Sequence, residues 1–404
     1  MRNGWNKVPL AAITELIKRG VSPKYVEIDG YPIINQKCIR EESLSLQEAR
    51  MTSKSKKISN EKFIRPGDVL INSTGTGTLG RTAIVKNINQ ETTVDTHVTI
   101  VRGNDLVDKY FLGYLIRYYE PLITSLGKGA TNQIELSASD LKEMQVKIPI
   151  SKETQQKIAN ILSAYDDLIE HNKKRIELLE EQAQLTYEEW FIRMKFPDYE
   201  DTLVDEETGL PEGWVYKTFA DVVDINPKTS IKKGAIAPFI PMSSISTSSM
   251  SIDPIEERAV SGGTKFKNGD TLFARITPCL ENGKTGFVQF MQNDDSVATG
   301  STEYIVLRET KSCGKYFIYC ASREEGFREN AIKSMVGSDG RQRVNTDCFE
   351  KYIVNFAPKK IRTQFEELCA PIFRSVQIYI EQNNKLKEAR DILLPRLMMG
   401  VIEV

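Results

Sequence analysis

Several groups of residues in this chain invite a chemical reading, and spacing decides among them. Gly75-Thr76-Gly77-Thr78-Leu79-Gly80 matches the glycine pattern that carries a strand into a helix beneath a dinucleotide. It follows a strand-like run, Val69 to Asn72, but leads into Thr82 to Val85, which is β-rich where the motif needs a helix. A nucleotide is disfavoured on that ground. The stretch reads either as a hairpin that turns backbone amides, Thr74, Thr76 and Arg81 toward an anion, or as a plain structural hairpin. Gly283-Lys284-Thr285 looks like the end of a phosphate-binding loop, yet Pro278 stands where the first glycine is required. The two histidines, His97 and His171, have no neighbours spaced for a metal or a catalytic triad; His97 reads as a hydrogen-bonded strand residue and His171 as a solvated one. There is no Asn/Asp-Pro-Pro-aromatic tetrad for amino methylation and no acidic nuclease pair. The chain reads as a non-catalyst.

What remains is polar, amide-rich and basic. Two loops carry Lys128, Thr131, Asn132 and Gln133 in one place, and Ser338, Arg341, Gln342 and Arg343 in another, with Arg275 and Lys284 upstream of the second. Arginine and lysine suit guanine edges in the major groove, and asparagine and glutamine suit adenine edges. With the Gly/Thr hairpin these residues form the expected DNA-contacting set, although a surface loop can be polar for no such reason.

The elements that must hold these loops are mixed. Val69–Asn72, Thr82–Val85 and Val98–Val101 read as strands, and Tyr110–Leu126 as a helix with Phe111, Leu115, Tyr118 and Leu122 on one face. The order then recurs about 200 residues later. Gly4-Trp5 is echoed by Gly213-Trp214, Gly67-Asp68 by Gly269-Asp270, and Lys109-Tyr110-Phe111 by Lys315-Tyr316-Phe317. The loop 337–343 stands where 127–133 stood, and Val344 and Phe349 match Leu136 and Leu141.

Each copy is followed by a long helical stretch. From Ser151, a plausible N-cap, to Pro197, one apolar row runs Leu162, Ile169, Ile176, Ala183, Trp190. From Arg362 onward another runs Phe365, Ile372, Tyr379, Leu386, Leu393. Asn172 and Asn383, each closing the phrase Ile-Glu-His/Gln-Asn, fall on the seams, where a buried amide fixes register. The two helices are expected to pair antiparallel within the chain. The expected organisation is α+β, with an internal pseudo-twofold repeat: 1–150 and 213–358 globular, 151–197 and 359–404 helical, 198–212 an acidic linker.

The 404 residues carry a net charge of −1, unevenly spread. Residues 1–150 hold 21 Lys+Arg against 16 Asp+Glu (+5), residues 151–212 hold 7 against 16 (−9), and the remainder 26 against 23 (+3). Basic globular parts fit DNA, and the acidic middle fits a protein contact or a solvated face. The N-terminus lacks a signal-peptide core, no apolar run could span a membrane, and six cysteines without paired spacing suit a cytoplasmic protein.

Across essentially its whole length the chain resembles the specificity subunits of type I restriction–modification systems. The resemblance is carried by Leu178-Leu179-Glu180-Glu181 through Tyr187-Glu188-Glu189-Trp190-Phe191 to Phe196-Pro197, by Leu393-Leu394-Pro395-Arg396-Leu397-Met398-Met399-Gly400, and by Asp166-Asp167-Leu168-Ile169-Glu170 and Arg390-Asp391. It implies two target-recognition domains, each reading half of a bipartite DNA target, and helices that set the gap between the halves. It implies two adenine-N6 methyltransferase subunits docked on those helices, with Leu179, Trp190, Phe191, Leu394 and Leu397 as contact residues, and translocating restriction subunits beyond them. S-adenosylmethionine, ATP and Mg²⁺ would then belong to the partners. The alternatives are a stand-alone two-domain DNA-binding protein and a nucleotide-dependent enzyme built on the glycine loop.

Overall fold

The computed structural model describes residues 4–40, 42–129, 134–293, 295–338 and 340–404. The chain divides into two units, Met1–Leu168 with Lys385–Val404, and Ile169–Asn384. Each unit therefore takes its helical part from both long helices.

In the first unit a four-stranded antiparallel sheet runs in the order Thr14–Arg19, Val98–Gly103, Val69–Asn72, Thr82–Ile84. Its central strands read as unbroken apolar runs because both faces are covered. Val69, Ile71 and Val101 point into a core shared with the helices, while Leu70, Val98 and Ile100 point into a second core with Ile34, Cys38 and Val94. Over that second core lies a smaller sheet, Thr93–Val94, Gly30–Ile34, Arg50–Ser53, Tyr25–Val26. Trp5–Pro9 and Gln145–Pro149 pair antiparallel, Trp5 opposite Pro149, and clamp the two ends of the domain together.

The second unit repeats this plan. Its sheet runs Asp224–Ile225, Tyr304–Arg308, Thr271–Ala274, Thr285–Phe287 and again separates two cores, with Phe273 and Leu307 on one side and Leu272 and Val306 on the other. Val215–Thr218 and Ile353–Phe356 form the clamp. The smaller sheets share one parallel strand pair, Gly30–Ile34 with Thr93–Val94 and Ile236–Ile240 with Ala298–Gly300, and differ in their flanking strands.

The helix expected over 110–126 is two helices, Lys109–Tyr118 and Glu120–Ser125. Pro121 has no N–H to continue the first, so a new helix starts there. The change of direction turns Leu122 out to solvent and buries Ile123 instead.

Ser151 caps the first long helix, its Oγ accepting the Thr154 amide at 3.3 Å. This helix spans Lys152–Tyr187 and widens into a π turn, Glu188–Ile192; the second spans Lys359–Met398. Within each unit the helical parts run antiparallel. In the first, Ile158, Ala159 and Leu162 share a core with Leu394, Leu397 and Met398, and Asp166 meets Arg390 at 2.6 Å. In the second, Asn172 Nδ2 donates to Asn383 Oδ1 at 3.0 Å, and Tyr187 and Phe191 pack on Phe365. Both amides are buried, and Asn383 Nδ2 also reaches the Ile169 carbonyl at 3.5 Å.

Each helical part is also tied to its domain by charge. In the first unit, buried Arg117 and Arg390 meet Glu42, Asp166 and Asp391: Arg390 lies 2.8 Å from Glu42 and 2.9 Å from Asp391, and Arg117 lies 3.2 Å from Asp391. The Tyr114 hydroxyl donates to Asp166 at 2.7 Å. In the second unit Glu180 stands eight residues after Asn172, as Asp391 stands eight after Asn383. Its carboxylate accepts from Ser249 Oγ at 2.6 Å and from the Met250 amide at 3.1 Å, and burial pushes it up to about 7.

At the start of each central strand an aspartate is held by an arginine from the neighbouring strand. Asp68 receives Arg102 Nε and Nη2, both at 2.7 Å, and the Arg65 amide at 2.8 Å. Asp270 receives Arg308 Nε at 2.7 Å, Nη2 at 2.6 Å and the Lys267 amide at 2.7 Å. Both carboxylates are about 1% exposed. Removing one partner of such a pair strands the other charge in the interior, at a cost of about 3–5 kcal/mol. Asp270→Ala is expected to destabilise the second unit by that amount, measured by denaturant unfolding.

Candidate nucleic-acid interface

The far ends of the central strands build the same structure twice. After Val69–Asn72, the Ser73 carbonyl accepts the Leu136 amide at 2.8 Å; after Thr271–Ala274, the Arg275 carbonyl accepts the Val344 amide at 2.8 Å. Beside each contact an eight-residue loop closes on itself. Lys128 and Glu135 exchange two backbone hydrogen bonds (2.9 and 2.8 Å), and so do Val336 and Arg343 (3.0 and 2.9 Å). The second residue of each loop is a glycine with left-handed backbone, Gly129 (φ 142°) and Gly337 (φ 133°). The counterpart of Gly337 is therefore Gly129 and not Gly127, a correction of two residues: bridge partners and backbone conformation fix the match, and the first glycine met in sequence does not. Val344 stands where Leu136 does, as expected.

Each loop base is tied to the sheet by a charge pair, with polarity reversed between units. Arg19 Nη1 reaches Glu135 at 3.2 Å, and its Nη2 donates to the Leu136 carbonyl at 2.9 Å. In the second unit Arg343 occupies the glutamate's place and grips Glu303 with Nε at 2.9 Å and Nη2 at 2.6 Å. Arg343 holds the Glu303 carboxyl below the usual carboxylate range, a hydrogen-bond effect that outweighs partial burial. His97 stands where Glu303 does: the His97 carbonyl accepts the Ser73 amide at 2.8 Å, and the Glu303 carbonyl accepts the Arg275 amide at 3.0 Å.

The glycine-rich stretch is a hairpin connection. Leu79 N donates to the Gly75 carbonyl (3.0 Å) and Gly80 N to the Asn72 carbonyl (2.9 Å), and Thr82–Ile84 pairs antiparallel with the preceding strand. Gly75, Gly77 and Gly80 all take positive φ, and the tip exposes Thr76 and Arg81. Thr74 is buried instead. Gln36 Nε2 donates to its hydroxyl at 2.6 Å and to its carbonyl, and the same hydroxyl lies 2.8 Å from His97 Nδ1.

The remaining expected residues separate into engaged and free. Lys128 is exposed and lies 2.8 Å from Asp140. Lys284 Nζ donates to the Met242 carbonyl at 2.7 Å, and Arg275 Nη2 to the Val344 carbonyl at 3.3 Å. Thr277 holds the Gln342 backbone through two hydrogen bonds, at 3.1 and 3.2 Å. Ser338 and Arg341 are exposed at the loop tip. Thr131, Asn132 and Gln133 lie outside the described residues. Gln36, Arg19, Glu135, His97 and Glu303 were not expected at the site, because each acts through a partner at least 23 residues away in sequence.

The helix residues expected to meet a partner need correction. Phe191, Leu394 and Leu397 are buried in the unit cores, and Leu179 and Trp190 pack against one. Their rows are satisfied within the chain. The large apolar residues left exposed on the first helix and its π turn are Leu168, Leu178, Leu185 and Ile192, the last three seven apart.

Residues 2–181 match the model of the type I restriction modification DNA specificity domain, which sets the class as a DNA-specificity protein. The chain is 29% identical to the type I restriction enzyme MjaIX specificity subunit of Methanocaldococcus jannaschii, over 89% of this chain and 83% of that one. It is 23% identical to the HindI specificity subunit of Haemophilus influenzae, over 98% and 99%. A solved type I restriction–modification S subunit from M. genitalium shares the fold, with a TM-score of 0.58 at 14% identity over 98% of this chain and 97% of that one. Over most of its length the chain is thus similar to specificity subunits of type I restriction–modification systems. It is accordingly a DNA-recognising, non-catalytic subunit, and the stand-alone alternative falls away.

Because the folded Glu303 carboxyl lies below its unfolded value, its tie to Arg343 stabilises the loop above ordinary carboxylate pH and is lost as pH falls from the unfolded value through the lower folded one. Glu303→Gln at neutral pH should lower amide exchange protection of Val336 and Arg343 up to about fivefold, the scale of an exposed pair. The wild type should show the same loss once pH falls below the ordinary carboxylate range, and none between about pH 5 and 8.

Proposed function

We propose that each unit reads one half of a bipartite DNA target through the hairpin and bridge-closed loop at the end of its central strands. The observation that carries this reading is the repeat of that construction in both units, on the same backbone contacts but with different loop side chains (129–134 against 337–342). One backbone plan with interchangeable tips suits two readers of two sequences. Replacing residues 1–150 with the corresponding domain of another specificity subunit should change one half of the recognised sequence and leave the other intact. Sequencing of methylated sites in cells carrying the hybrid measures this; a change in both halves or in neither would sink the two-reader model.

The chain then acts by recruitment, in the cytoplasm. Two adenine-N6 methyltransferase subunits dock on the helices, restriction subunits join them, and S-adenosylmethionine, ATP and Mg²⁺ are held in those partners. The helices set the gap between the half-sites. The row Leu178, Leu185, Ile192 supports docking, since a heptad-spaced apolar row facing solvent lacks a covering element. Leu185→Asp should weaken capture of the co-expressed methyltransferase roughly tenfold or more, the scale of one lost apolar burial, while unfolding of the chain alone is unchanged. Undiminished capture would move the docking surface elsewhere.

A further inference from the structure

Resting on that reading of the loops, we propose that Arg341 selects a guanine in the half-site read by the second unit, and that Arg343 is its positioning residue. Of the four cations expected there, three are committed. Arg275 and Lys284 donate to the Val344 and Met242 carbonyls, and Arg343 grips Glu303 along two edges. Arg341 is exposed, and its guanidinium has no partner among the described residues.

The backbone beneath that side chain is fixed on both sides. The Arg341 amide donates to the Ser338 carbonyl at 3.0 Å, and Gly340 just before it has φ 76°, a left-handed conformation that suits glycine. A Cβ on Gly337 would stand 3.1 Å from the Arg341 carbonyl oxygen, so the chain crosses itself closely at a position that also needs left-handed φ. Gln342 is held by Thr277 on both its amide and its carbonyl. At Arg343 the bridge to Val336 and the grip on Glu303 complete the frame. A free planar fork on a pre-ordered backbone loses little entropy on binding. Guanine offers that fork two acceptors, O6 and N7, in the major groove.

The test uses the full chain assembled with its methyltransferase and a library of randomised duplex DNA, bound fractions being sequenced. Arg341→Gln should reduce discrimination at one base pair of one half-site by roughly ten- to hundredfold and leave the other half-site unchanged. Arg341→Lys, which keeps the charge without the fork, should lose the same preference. Arg343→Gln should lower discrimination at that same base pair by a smaller factor and leave the other half-site unchanged. Preferences left intact in Arg341→Gln, or a uniform weakening such as a phosphate contact gives, would overturn the assignment of Arg341 alone. A wild-type assembly that selects no two-part sequence would overturn the recognition reading and this assignment with it.

Discussion

The loop-bearing end of each unit depends on a carboxylate buried at the opposite end. Asp68 and Asp270 sit one residue before the central strand, and the arginine that binds each lies on the adjacent strand. A two-edged bond of this kind admits one alignment of the two strands, Ile71 opposite Thr99 in the first unit and Phe273 opposite Ile305 in the second. A slip of one residue would send Leu70 and Ile71 to each other's cores. It would also carry Ser73 away from His97, and Arg275 away from Glu303. The charge pair thus sets where the loop bases land.

This arrangement shows what a sequence read alone can reach. The turns Gly67-Asp68 and Gly269-Asp270 were legible as repeats, since Gly and Asp mark turns locally. Their arginines were not, because Arg102 and Arg308 lie 34 and 38 residues further on with nothing local to mark them. Nor was the tie of Arg343 legible, because Glu303, 40 residues upstream, has nothing local to mark it. The strands, the long helices and the buried Asn172 and Asn383 were legible because period and length carry them. Which apolar row the chain would keep for itself was not. Heptad spacing gives Trp190 and Leu185 equal standing, and only packing separates the partly buried tryptophan from the exposed leucine.

The two units solve one attachment problem with different chemistry. At equivalent helix positions, Asp391 joins a cluster of two guanidiniums and three carboxylates, whereas Glu180 accepts neutral donors from Ser249 and Met250. The first solution compensates charge inside the protein. The second leaves a carboxyl whose protonation is balanced near neutrality, so the contact between that helix and the Ser246–Met250 turn is softened as pH rises past about 7.

The make-up of the first unit has a consequence for how the protein comes into being. The second unit is one continuous stretch, but the core of the first needs Leu394, Leu397 and Met398, and its buried Asp166 needs Arg390. At about 5–20 residues per second, a ribosome that has finished Leu168 takes roughly 10–45 s to supply them. During that interval Ile158, Ala159 and Leu162 lack their helical partner. The domain translated first is therefore the last to close, and the unfinished chain is the species that chaperones and proteases meet.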